Sequence, residues 1–350
     1  MRHSLGIFRG IHKASQPRAH CQAPRHLQHF SELFPLNTVT PSETTLCTSQ
    51  LSRQYGRHLA VKPLDLDLRR GEVLGLLGPN GAGKTTTLQM LTGNLAPSGG
   101  SVRIGGIDLL EEPQAAKRRM GYLPETPPLY REFTVSEYLF FAARLQRIPS
   151  NRVQEAVDRA SQRCGLTGVI NKMIGTLSKG YQQRVGIAQA IIHEPDIIVL
   201  DEPTLGLDPN QLRDIRSMIR ELAARSSIIL STHILQEVEA LCDRVLILHH
   251  GTVIFSDSIA GLRALTRERS LILRLGAPPP PTTLLAIPGV LDADQLADGR
   301  WRLRCTAEGD PTPLLVSRAA AEGWDLQELG AAGASLEEVF AQLTQGNPTP

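Results

Sequence analysis

The chain has 350 residues, 41% hydrophobic and 21% charged, so it carries enough apolar material for one large core and a smaller one. A net charge of +2 removes the general electrostatic case for nucleic-acid binding, and no run approaches the roughly 18 apolar residues of a membrane-crossing helix. Cys21, Cys47, Cys164, Cys242 and Cys305 are scattered without a Cys-x-x-Cys pair, which argues for separate reduced thiols rather than a disulfide framework or zinc site.

Residues 1–42 differ from the rest. Arg2, Arg9, Lys13, Arg18 and Arg25 precede the first acid, Glu32, together with five histidines. A basic, acid-poor segment suits a transit peptide, but no amphipathic helix is evident, which favours a disordered extension. Regular patterning begins near Thr45. Thr45 to Leu51 reads as a strand, alternating Leu64, Leu66 and Leu68 as a second, and the apolar run Val73 to Leu77 as a buried one.

That buried strand leads into Gly78-Pro79-Asn80-Gly81-Ala82-Gly83-Lys84-Thr85, and a helix is predicted over Thr86 to Leu95. Strand, glycine-rich loop and helix form the context of a phosphate-binding loop. The glycines let successive N–H groups face a polyphosphate, and the helix presents its positive end to it. Lys84 would reach the β- and γ-phosphates of ATP, and the Thr85 hydroxyl would ligate Mg²⁺.

From Thr134 to Ile174 the pattern is mostly helical, with a capping box at Thr134-Val-Ser-Glu137. Ser178 and Gly180 open a further helix through Gln183 to Ala190, an N-terminus suited to an anion. Ile197 to Leu200 is a buried strand ending in Asp201-Glu202, at the carboxyl end where ligands bind in open α/β sheets. Asp201 would hold Mg²⁺ through its water shell, and Glu202 would polarise the attacking water as general base. Another strand covers Ser227 to Leu230. Strands alternating with helices predict a mainly parallel sheet covered on both faces.

Residues 265–281 form a boundary. Beyond the strand Leu271 to Leu275, Gly276-Ala-Pro-Pro-Pro-Pro281 stops regular structure. A strand at Trp301 to Cys305, a helix at Leu314 to Glu322 and a last helix opened by the capping box Ser335-Leu-Glu-Glu338 complete a small α/β module. The expected organisation is an extension at 1–42, a nucleotide-binding domain at 43–264 and an accessory domain at 265–345.

Over residues 45–264 the motifs and their order resemble the nucleotide-binding subunits of ATP-binding cassette (ABC) transporters. Leu177-Ser-Lys-Gly-Tyr-Gln182 resembles the family's signature motif, LSGGQ. The resemblance implies that Tyr55 stacks on adenine, that Glu125 occupies the Q-loop position near the metal, that Asp208 lies in the D-loop, and that His233 senses the γ-phosphate. Lys179 and Tyr181 depart from the signature, and Glu125 stands where glutamine is usual. A carboxyl there keeps an acceptor for Mg²⁺ or water and loses the amide donor.

The resemblance implies a P-loop NTPase fold of ABC type, with an antiparallel β subdomain and a helical subdomain beside the parallel sheet. It implies a head-to-tail pair in which one subunit's loop holds ATP while Ser178 and Gly180 of a second subunit close over the γ-phosphate. It also implies peripheral attachment to the inner face of the cell membrane through integral permease subunits. Gly121-Tyr-Leu-Pro-Glu125, Leu-Ser-Lys-Gly-Tyr181 and Ser335-Leu-Glu-Glu-Val-Phe340 together resemble exporter subunits of the gliding-motility or multidrug type. An importer subunit and a soluble ABC ATPase are the alternatives. Against the latter, only 117 residues separate Lys84 from Asp201, too few for the coiled coil of DNA-repair members, and the chain has one cassette.

Overall fold

The computed structural model describes residues 44–265, 269–306, 310–333 and 336–345; the expected extension at 1–42 and Ser335 lie outside them. The chain opens with strands β1 (Thr44–Tyr55), β2 (His58–Leu64), β3 (Asp67–Arg69) and β4 (Val73–Leu77), then helix α1 (Lys84–Leu91). Strands β5 (Gly99–Ile104) and β6 (Ile107–Asp108), helix α2 (Pro113–Lys117) and strand β7 (Met120–Leu123) follow. A helical segment contains α3 (Val135–Leu145), α4 (Val153–Arg163) and α5 (Lys179–Ile191). It returns to β8 (Ile197–Asp201), α6 (Pro209–Ala223), β9 (Ser227–Thr232), α7 (Leu235–Leu241), the hairpin β10 (Arg244–His249) and β11 (Thr252–Ser258), and α8 (Ile259–Leu265).

The central sheet runs β11-β10-β4-β9-β8-β7, with every pair parallel except the β10–β11 hairpin at one edge. Both faces are covered, so its strands are apolar throughout and neighbouring residues serve different cores. In β8, Ile198 and Leu200 join the core beneath the helices, while Ile197 and Val199 join the core shared with α1 and the antiparallel strands. Each is at most 1% exposed, and burying such a side chain stabilises by about 1.5–3 kcal/mol.

The second sheet, β2-β1-β5-β6 with β3 also on β1, is antiparallel. The single strand expected at Leu64 to Leu68 is instead two. The Asp65 carboxyl accepts from the Gln50 N–H (2.7 Å) and Nε2 (2.6 Å), and the Leu66 N–H donates to Thr48 Oγ1 at 2.8 Å. Side chains therefore interrupt the regular ladder between β2 and β3, leaving the Thr48 N–H to Leu66 O bond (2.7 Å), while all three leucines stay buried. The first helix begins at Lys84, not Thr86, and ends at Leu91, not Leu95, because Thr92 caps it and Gly93 turns away at φ +67°.

Helix α3 begins as its capping box requires. Thr134 Oγ1 accepts the Glu137 N–H at 3.2 Å, and the Glu137 carboxyl accepts the Thr134 N–H at 2.8 Å and the Thr134 hydroxyl at 2.9 Å, two bonds that hold the carboxyl below its usual pKa.

Past α8 come β12 (Arg269–Leu275), α9 (Pro281–Leu285), β13 (Val290–Gln295), β14 (Trp301–Cys305), α10 (Thr312–Glu322), β15 (Leu326–Gly333) and α11 (Leu336–Gln345). The strands form an antiparallel sheet, β13-β14-β12-β15, with its own core around Leu273, Leu284, Trp301, Leu303 and Leu315. The last helix does not belong to that core. Leu336 and Val339 pack into the helix-side core of the central sheet, and Gln236 Nε2 on α7 donates to Glu337 Oε1 at 2.7 Å.

Candidate active site

The loop between β4 and α1 curls because two of its glycines have positive φ, Gly81 (+80°) and Gly83 (+101°). Gly83 also has no room for a side chain, since a Cβ would stand 2.9 Å from Ala60 O. Helix α1 has no side-chain cap, and its first backbone bond runs from the Thr87 N–H to Gly83 O at 2.9 Å. The N–H groups of Lys84, Thr85 and Thr86 thus open toward the loop without an internal acceptor, which is the arrangement that receives an anion.

Lys84 is 7% exposed and folds back over the loop, donating from Nζ to Gly78 O at 2.8 Å. Its Nζ also lies 3.6 Å from Glu202 Oε1. The loop encloses a cavity of about 340 Å³, lined by Asn80 through Thr86 together with Ala60, Glu125, Glu202, Leu205 and His233. Tertiary folding therefore gathers residues from four other chain segments around one anion-receptive loop.

Strand register sets the other wall. Asp201 of β8 faces Ser231 of β9, and Ser231 Oγ donates to Asp201 Oδ1 at 2.5 Å. Ser231 Oγ also accepts the Glu202 N–H at 3.0 Å. Glu202 has φ +48°, a conformation that costs a non-glycine residue about 1–3 kcal/mol. That turn aims its carboxyl at His233, whose Nδ1 lies 3.0 and 3.1 Å from the two oxygens. Burial raises the Asp201 pKa above the usual carboxyl value; the Ser231 and Thr85 hydroxyls and Lys84 oppose the rise, and the charge of Glu125 adds to it. Asp201 Oδ2 is buried without a hydrogen-bond partner among the described residues.

The remaining sequence-expected residues stand apart from the cavity lining. Tyr55, at the end of β1, is 45% exposed and carries the Arg53 guanidinium 4.6 Å from its ring centre. Ser178 caps α5 by accepting the Tyr181 N–H. Gly180 is covered by Gln211, whose Oε1 lies 2.6 Å from where a Cβ would stand. Asp208 caps α6 by accepting the N–H groups of Asn210 and Gln211 at 3.0 and 2.9 Å. Lys179, the departure from the signature, lies against Gly206.

Sequence reasoning missed Ser231, which holds both acids. Its position two residues before His233 in a strand was the available signal, but cross-strand register is needed to place it opposite Asp201.

The family model for "ABC transporter" matches residues 61–205, and a model for an AAA domain matches 173–239. The ABC transporter ATP-binding protein NatA of Bacillus subtilis (strain 168) is 40% identical over 215 residues, covering 61% of this chain and 87% of that protein. The chain belongs to the ABC transporter ATP-binding proteins. As an ABC ATPase it binds and hydrolyses ATP, and subunits of this family act with membrane permease partners. The daunorubicin/doxorubicin resistance ATP-binding protein DrrA of Streptomyces peucetius is 32% identical over 314 residues, 86% of this chain and 92% of that one. A match of that length extends past α8 into the antiparallel module. A solved ATP-binding subunit of an ABC transporter superimposes with a TM-score of 0.58 at 33% identity, covering 63% of this chain and 93% of that one. Among the described residues of this ABC protein, no helix is long and apolar enough to cross a membrane.

Proposed function

We propose that this ABC ATPase energises export through a separate membrane permease, with Glu202 as general base and His233 as the γ-phosphate contact. The observation that carries the reading is the Glu202 carboxyl, held between Lys84 and His233 at the cavity wall. Glu202 takes a proton from water as the water oxygen attacks the γ-phosphorus, and ADP leaves with the bridging oxygen. Lys84 gives up its contacts with the loop carbonyls for the β- and γ-phosphates, while the N–H groups of Lys84, Thr85 and Thr86 receive the phosphate oxygens.

Mg²⁺ fits the residues present. The Thr85 hydroxyl would be a hard oxygen ligand, the orphaned, buried Asp201 Oδ2 would hold the ion through its water shell, and Glu125 would add an acceptor from the cavity wall. Among the described residues, no cluster of three His, Cys, Asp or Glu side chains is set to hold an ion by itself, so phosphate oxygens would complete the site. When bound, the ion neutralises charge developing on the phosphates.

Ser178 and Gly180 lie outside the cavity lining of their own chain, which supports a site completed by the signature helix of a second copy. Asp208 would sit at that junction, and Tyr55 would meet adenine with the ring face that Arg53 leaves uncovered. The permease would dock in a groove of about 580 Å³ lined by Lys117, Arg118, Tyr122, Pro124, Leu145 and Arg147, among others. In that groove, burial first, and then the charge of Asp201, push the Tyr122 phenol up to about 12. Such docking would keep the subunit on the cytoplasmic face of the membrane. Bacitracin transport in the name of BcrA of Bacillus licheniformis and drug resistance in that of DrrA favour export. We read residues 43–264 as the nucleotide-binding domain and 265–345 as an accessory unit whose last helix returns to brace it.

The test is Glu202→Gln in the full chain. Turnover should fall by about 10²–10⁴-fold, with ATP affinity retained, and light scattering should show an ATP-dependent dimer. Unchanged turnover would remove the general-base role, and a monomer at saturating ATP would remove the paired site.

A further inference from the structure

The turn that presents His233 is held by a side-chain relay that the catalytic reading leaves unused. Strand β9 ends at Thr232, and α7 begins only three residues later at Leu235. At the centre is the Thr232 hydroxyl, which accepts the Ile234 N–H at 3.1 Å and donates to Glu237 Oε2 at 2.7 Å. The Glu237 N–H closes the turn on Ile234 O at 3.2 Å. Both side chains are buried, Thr232 fully and Glu237 to within 1%.

We propose that Glu237 is a positioning residue for His233, acting through Thr232; this rests on the reading of His233 as the γ-phosphate contact. A hydroxyl has one proton. With that proton committed to Glu237, its lone pairs face the Ile234 N–H, so residues on both sides of His233 are tied to one atom. Without the carboxyl, the hydroxyl is free to rotate toward a backbone carbonyl and release Ile234. His233 would then lose the backbone direction that sets its Nδ1 3.0 Å from Glu202. Thr232 also pairs with Leu77, the last residue before the phosphate loop, so the relay stands one strand from the nucleotide.

The energetics support the same role. Glu237 Oε1 is buried without a hydrogen-bond partner among the described residues, so the carboxyl is a poor core residue. An unbranched apolar side chain would fill the position without that penalty. The other oxygen of Glu237, Oε2, takes the bond that orients the Thr232 hydroxyl. The group therefore serves geometry at the expense of stability.

The experiment uses the full chain and measures ATP turnover, thermal unfolding and the His233 imidazole ¹⁵N resonances. Thr232→Val and Glu237→Met should each lower kcat by roughly tenfold with KM for ATP within about twofold. Thr232→Ser should restore kcat, and Glu237→Met should unfold no earlier than the parent. In a His233→Ala background, neither substitution should lower turnover further, and in Thr232→Val the imidazole resonances should move. A lowered Tm with kcat unchanged, additive losses in the His233→Ala background, or unmoved resonances would each overturn the proposal. If His233→Ala itself leaves kcat intact, it is the reading of His233 that fails, which is a separate result.

Discussion

The nucleotide face and the C-terminal antiparallel sheet treat charge in opposite ways. Around the phosphate loop and the end of β8, the chain buries Lys84, Asp201 and Glu202, each at most 7% exposed, and holds Glu202 at positive φ. In the β12–β15 sheet, Arg274–Glu328, Arg300–Asp298 and Arg304–Asp292 pair across or along strands with every side chain at least 35% exposed. Exposed pairs are solvent-screened and contribute little. Buried, incompletely paired charges weaken the fold, a cost that a ligand can compensate. On the proposed reading, one region waits for a polyphosphate and cation, and the other persists as a scaffold.

Substitutions at the nucleotide face should therefore change activity more than stability, and those in the module the reverse. The largest effect is expected for Lys84→Ala. Losing the cation that would meet the phosphates should reduce ATP turnover at least about 100-fold, while thermal unfolding stays near that of the parent. A destabilised but active protein would break the contrast.

Leu303→Ala comes next. Leu303 is fully buried at the centre of the module, and truncation there should cost about 2–5 kcal/mol in thermal or urea unfolding. Turnover should change less than about twofold, and a collapse of ATPase activity would show that the module is coupled to the site.

Asp201→Asn sharpens the comparison through pH. The folded pKa of Asp201 is raised above the ordinary value of 3.8, so the folded state binds its proton more tightly than the unfolded state. The stability this confers is fully present below 3.8 and is lost as pH rises through the folded pKa. At neutral pH Asp201→Asn should accordingly raise Tm while abolishing Mg²⁺-dependent turnover, and the gain should vanish in acid. A lower Tm at neutral pH would place Asp201 among the stabilising residues. The smallest effect is expected at Arg274→Ala, whose ion pair with Glu328 leaves both side chains 49% exposed; its Tm and turnover should match the parent.

Much of the site was legible because phosphate binding imposes local constraints. Gly81 and Gly83 must reach positive φ within a few residues of Lys84, and Asp201-Glu202 must end a buried strand, so both motifs lie within short windows. His233 and Glu125 could be placed through the ABC resemblance, because their partners are distant in sequence. Ser231, Ala60 and Leu205 carry no local signature; they matter through the segments folding brings beside them. In the fold, β4 and β8 were legible as dense apolar runs, and β14 as a strand alternating apolar residues with Arg302 and Arg304. Strands β5, with two glycines, and β13, with alternating acids, were not, because their strand character comes from neighbours that supply the ladder.

The C-terminal region shows the same division. The segment Leu336 to Phe340 reads as an amphipathic helix from its spacing, but spacing cannot tell which core receives its apolar face. Folding assigns Leu336 and Val339 to the helix-side core of the central sheet and ties Glu337 to Gln236 on the helix after His233.

By itself the sequence determined the ATPase chemistry, through a phosphate loop between a buried strand and a helix and an acid pair at a strand's carboxyl end. It also determined the parallel core, because apolar runs without polar alternation are stable only when both faces are covered. Tertiary structure decided how the pieces meet: the β8–β9 register that joins Ser231 to Asp201 and Glu202, the placement of Glu202 between Lys84 and His233, and the return of the last helix to the central core. These depend on contacts between residues far apart in the chain. Their strength comes from burial and geometry, which no short stretch of sequence contains.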